Sequence, residues 1–208
     1  MDTLTTMSNL AMAMLDLGQR KPARQMMHHV YEMRKNKLGK EHPYTLWALC
    51  YLSKVHVELG YLKEAEDMLV GGIAAGKRSL GDEHLGVLMG CGELARVYAR
   101  QGRLDEAEEL TLITVRKVKE SRHSEHGDYI FGMWKLGQLY ELKGETTKAL
   151  DVYRIALENT GPRLTKNHPL TKKIEMRITA LDGCSFSALE KGANVANGIV
   201  DKQHSFVL

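Results

Sequence analysis

Apolar residues recur through most of the chain at spacings of three and four, the period of a helix with one buried side. Before Gly60 they fall at Leu46, Leu49, Leu52 and from Val55 to Leu59, and before Gly102 at Leu88, Leu94, Val97 and Tyr98. After each glycine a second amphipathic stretch begins, YLKEAEDMLVGGIAAGKRSL in one case and RLDEAEELTLITVRKVKE in the other. A residue just past a helix end favours the left-handed backbone that glycine adopts at least cost. The pattern therefore predicts helix, tight turn, helix.

The unit repeats. LGKEHPYTL from Leu38 and LGDEHLGVL from Leu80 lie 42 residues apart. His42, His84, His126 and His168 keep that spacing, as do Gly18, Gly60, Gly102 and Gly144, and Ala23, Ala65, Ala107 and Ala149. A second small position reads Ala11, Ser53, Ala95 and Gly137. Small side chains on both members of a pair let helix axes approach to about 8–10 Å. Four helix pairs follow, over about 3–44, 45–86, 87–128 and 129–168, with a capping helix over 169–181 whose Lys172, Lys173, Glu175 and Arg177 face solvent. Residues 1–182 thus read as one all-α solenoid, and 183–208, rich in small and polar residues, as a flexible or weakly structured tail. No cap precedes the first unit, which suggests a piece of a longer array or a chain descended from one. Gly71, Gly72 and Gly76 fall inside the second helix of the second unit, where they are expected to kink or loosen it.

The fourth unit, from Trp134, resembles a tetratricopeptide repeat through Leu136, Gly137, Tyr140, Gly144, Ala149, Tyr153, Ala156 and Pro162. The 42-residue length and the LGxEHPxTL linker are similar to the kinesin light chains and to the repeat tails of NB-ARC-type signalling ATPases. The segment from Asp2 looks most like the ATPase-associated version, and the resemblance covers about residues 2–182. Leu85 and Gly127 depart from it, replacing the linker proline. The resemblance implies a right-handed α-solenoid in which the first helix of each pair lines a concave groove that binds protein segments.

Composition narrows the function without redirecting it. The chain has 208 residues, 43% hydrophobic and 26% charged, with a net charge of +3 and no basic face in any block. That argues against nucleic acid as a partner. Three cysteines, Cys50, Cys91 and Cys184, lack metal-ligand spacing and read as free thiols of a reducing compartment. No apolar run reaches membrane-spanning length and no signal sequence opens the chain, so a cytoplasmic protein is expected.

Little in the sequence calls for catalysis, a cofactor or a metal. The periodic histidines precede helix starts, with Pro43 and Pro169 at the first helical position, and read as caps. Equivalent residues of stacked units lie about 10 Å apart, too far to share one zinc ion. His123 and His126 are closer but lack further ligands. GGIAAGKRS, from Gly71, nearly spells a phosphate-binding loop, but it lies mid-helix without a preceding strand. The acidic runs Glu64–Asp67 and Asp105–Glu109 suit the positive ends of helices.

The groove remains. In the repeat register, one position of the first helix reads Met12, Lys54, Arg96 and Gln138, another Ser8, Cys50, Gly92 and Trp134, and a third Thr5, Trp47, Met89 and Phe131. The expected peptide-binding stripe is Trp47, Lys54, Met89, Arg96, Phe131, Trp134 and Gln138, aromatic anchors beside cations. The expected function is a non-catalytic scaffold or ligand-sensing module that binds a protein segment with apolar and acidic residues. The alternatives are self-association through the first repeat, whose Leu10, Met12, Met14 and Leu15 are apolar, and nucleotide binding at the degenerate loop.

Overall fold

The computed structural model describes residues 3–121, 126–160 and 167–183, and every regular element among them is a helix. Eight helices run in order: α1 (Thr3–Asp16), α2 (Arg20–Leu38), α3 (Pro43–Leu59), α4 (Leu62–Leu80), α5 (Leu85–Arg100), α6 (Leu104–Glu120), α7 (His126–Leu142) and α8 (Thr146–Glu158). A ninth, α9, covers 169–183. From α1 to α8 each helix packs against its neighbours in sequence, which makes an all-helical solenoid of antiparallel pairs. The tail from 184 onward, with Cys184, and His123 lie outside the described residues.

The turn within each pair is set by glycine. Gly60 adopts φ 84° and ψ 7°; its N–H donates to the Val57 carbonyl at 3.1 Å, and the Tyr61 N–H donates to the His56 carbonyl at 2.9 Å. This double closure of a helix end recurs at Gly18, Gly102 and Gly144. Between pairs, histidine starts the next helix. Nδ1 of His42, His84 and His168 accepts from the backbone N–H two residues on, at 3.2, 3.1 and 3.2 Å, as the capping expectation requires.

The core is a series of local clusters between successive helices. One joins α3, α4 and α5 through Leu46, Leu69, Val87 and Val97, and another joins α7, α8 and α9 through Ile130, Tyr153 and Ile174. The alanines at the crossings, Ala23, Ala65, Ala107 and Ala149, are fully buried. Packing is close at Gly137, where an added Cβ would stand 2.2 Å from the Tyr153 ring.

The glycines of α4 do not break it, and the helix runs uninterrupted from Leu62 to Leu80. A Cβ on Gly72 would lie 2.1 Å from Leu49 Cδ2, and one on Gly76 would lie 2.9 Å from Leu46 and 3.0 Å from Val87. These two glycines make room for α3 and α5, whereas Gly71 faces open space. The stretch resembling a phosphate loop is therefore part of a packed helix.

The first helices are not evenly spaced. Helix α3 packs closely on α5, whereas α1 meets α3 only lightly and α7 stands away from α5, with both α5 and α7 packing on α6.

Candidate binding cleft

The stand-off of α7 from α5 opens a cleft of about 610 Å³. Its α5 wall is made of Gly92, Ala95, Arg96 and Ala99, and α7 contributes Trp134, Lys135, Gln138 and Leu139. Thr111, Thr114 and Val115 of α6 also line it. The two threonine hydroxyls each donate to a carbonyl of their own helix at 2.7 Å, which leaves the α6 side mainly apolar. Small residues on α5 and large ones on α7 give the cleft its depth.

Charge at the cleft is organised around Glu93. Its carboxylate accepts from Lys135 Nζ at 2.8 Å and lies 2.7 Å from an Arg96 guanidinium nitrogen. Burial pushes the Glu93 carboxyl up, but Lys135 and Arg96 outweigh burial and hold it below the usual carboxylate range. Arg96 also reaches Glu58 of α3 at 3.5 Å, and Arg100 lies 3.9 Å from the same carboxylate. Three cations thus share two carboxylates. Lys54 of α3, half-buried, has no ion pair or hydrogen bond among the described residues. At the far end Arg177 of α9 pairs with Glu141 of α7. The surface is apolar in its depth with a small positive excess along one side.

The residues expected from sequence separate into two groups. Arg96, Trp134 and Gln138 come together in the cleft. Trp134 is braced from behind by Tyr153, their ring centroids 5.4 Å apart. Phe131 is half-exposed with the Lys135 ammonium 4.9 Å from its ring centre. Met89 packs on the core between α3 and α5. Trp47 meets the edge of Tyr44 at 5.5 Å, and its indole nitrogen lies close to Gly86. Of the position read as Ser8, Cys50, Gly92 and Trp134, Ser8 and Cys50 are buried, while Gly92 and Trp134 line the cleft. That position is therefore closed in the first two units and open in the third and fourth.

Sequence reasoning missed Lys135 and Glu93. A signal existed: the two are 42 residues apart, so they hold one repeat position in neighbouring units with opposite charge. Arg96, expected as a cation of the stripe, is already held by Glu93 and Glu58. Among the described residues no group of three or more side chains could hold a metal ion, and no helix is long and apolar enough to cross a membrane.

Comparison with known proteins agrees with this architecture. Three tetratricopeptide repeat family models match, one over residues 3–44 and 45–85, a second over 88–111 and a third over 132–159. No curated protein matches. Among solved structures, the nearly identical TPR-like repeats of a Podosopora anserina protein described as a kinesin light chain share 22% identity and a TM-score of 0.67, over 98% of this chain and 97% of that one. BtubC (BKLC) from P. vanneervenii is similar at 15% identity and TM-score 0.68, over 97% and 81% of the two chains. Bacillus thuringiensis PlcR, solved with the peptide PapR7 and DNA, is similar at 12% identity and TM-score 0.69, over 96% and 70%. At these identities the structures speak for the fold, while the repeat matches together span most of the sequence: the chain belongs to the tetratricopeptide repeat family.

Proposed function

We propose that the protein is a non-catalytic scaffold that holds an extended segment of another protein against α3, α5 and α7, with a large apolar side chain in the cleft between α5 and α7. The cleft carries the reading: it is concave, deep, mainly apolar and backed by an aromatic side chain, as binding hot spots tend to be. The excess of positive charge beside it, with Lys54 at its head, favours carboxylates on the bound segment. That a protein of similar fold was solved in complex with a peptide adds support.

Selection from a random peptide library tests this. Enriched sequences are expected to pair an aromatic or large aliphatic residue with nearby Asp or Glu. Filling the cleft with Ala99→Trp should weaken the best peptide by about tenfold or more, roughly the loss of one apolar anchor. Lys54→Glu/Arg96→Glu should weaken acidic peptides and spare neutral ones. Enrichment of basic peptides, or binding indifferent to all three substitutions in folded protein, would sink the proposal.

A further inference from the structure

Glu93 meets two cations at contact distance. Lys135 Nζ donates to its Oε1 at 2.8 Å, and Arg96 Nε donates to its Oε2 at 2.8 Å. Both cations line the cleft, whereas Glu93, its side chain 13% exposed, stands behind them on α5. Gly92 leaves the Lys135 ammonium uncovered, since even a Cβ built there would lie 3.8 Å away. At the repeat position of Glu93 the other units carry Tyr51, Lys135 and Arg177, so it is the one acid of the four. A carboxylate is rarely so enclosed unless it is paired. Glu58 is shared by Arg96 and Arg100 at 3.5 and 3.9 Å, and Arg177 is matched separately by Glu141. Arg96, Arg100 and Lys135 therefore stand against Glu58 and Glu93. The cleft keeps a surplus of one positive charge, and Glu93 holds it at one.

We infer, resting on the reading of the cleft as a peptide site, that Glu93 determines its charge specificity: acting through Lys135 and Arg96, it limits the cleft to one carboxylate of the bound segment. A first carboxylate beside the apolar anchor neutralises the surplus and is drawn in. A second meets a neutral network and the negative charge of Glu93 behind it, so it gains little. Lys54, on α3, stands outside this network and leaves the balance at the cleft unchanged. Glu93→Gln keeps the shape and one acceptor oxygen but removes the charge. The surplus then becomes two, and a second carboxylate is accepted.

Three synthetic peptides test this by calorimetry on the full chain. They share one tryptophan and carry none, one or two aspartates directly beside it. For the wild type the first aspartate should strengthen binding by about fivefold or more, and the second by less than about twofold. For Glu93→Gln the second aspartate should add about fivefold again, and the two-aspartate peptide should weaken more steeply with salt. The peptide without aspartate should bind both chains alike, and Glu93→Asp, which keeps the charge, should restore the wild-type pattern. Equal loss of all three peptides by folded Glu93→Gln would mean that Glu93 only props the helices, and overturns the inference. So does a wild type that gains fivefold again from the second aspartate or binds all three peptides alike, results that need no variant to fold. A wild type that binds none of the peptides sinks the peptide-binding reading and this role of Glu93 together. If Glu93→Gln instead keeps the one-aspartate preference of the wild type, that reading stands and only the role of Glu93 falls.

Discussion

At the scale of single residues, the repeat turns small volumes into strong constraints. Gly137 and Tyr153 are nearly in contact through the ring, so Gly137→Ala forces a rigid aromatic and a backbone apart. The expected cost is about 1–3 kcal/mol, typical of overpacking a core. The glycines of α4 give a sharper comparison. Gly72→Ala should destabilise through Leu49, whereas Gly71→Ala, facing open space, should stabilise by about 0.5–1 kcal/mol from helix propensity alone. Urea midpoints of the three variants check both signs. His56 supplies a pH effect. It is buried, accepts from Arg24 Nε at 3.1 Å, and is pushed below its ordinary value of 6.5 by burial and then by Arg24. The unfolded chain therefore takes up a proton that the folded chain refuses, so stability is complete above the unfolded pKa and declines as pH falls below about 6.5. His56→Met, the residue one repeat earlier at Met14, should flatten that decline between neutral and mildly acidic pH.

At the scale of helices, legibility from sequence followed what the repeat controls. Helix order, the glycine turns and the histidine caps are local, and each recurs 42 residues on, so the spacing alone reveals them. The gap between α5 and α7 is not local. It depends on how α6 and α7 seat against each other, and no repeat position announces it. The stripe read from register therefore kept Arg96, Trp134 and Gln138 together and dispersed Trp47 and Met89 into packing roles. The Glu93–Lys135 pair spans the gap and helps to fix its width. Lys135→Met should remove that tie and leave Glu93 to Arg96 alone. Hydrogen exchange is expected to quicken in α7 while α3 and α4 are unchanged. Acid should act in the same direction: Glu93 is held below the usual carboxylate range, so its contribution is present above the unfolded value and fades as pH falls through the folded one.

At the scale of the whole molecule, stability is a sum of neighbouring contacts. The core consists of local clusters, and α9 completes the last of them by burying Ile174 against α7 and α8. Ile174→Asp should unfold the C-terminal end first, with exchange protection lost in α8 and α9 and retained in α3 and α4. A single cooperative loss across all helices would instead mean that the units are coupled more tightly than their contacts imply.

A stacked array can also be regarded as a spring, and the stand-off between α5 and α7 then becomes its softest coil. Helices α3 and α5 touch side by side and share any load along their length. Across the cleft the load passes through α6 and the Glu93–Lys135 contact. Tension applied between α1 and α8 should therefore lengthen the molecule at this step before any helix unravels. Whatever fills the cleft would act as a wedge in the spring, setting both the curvature and the stiffness of the scaffold.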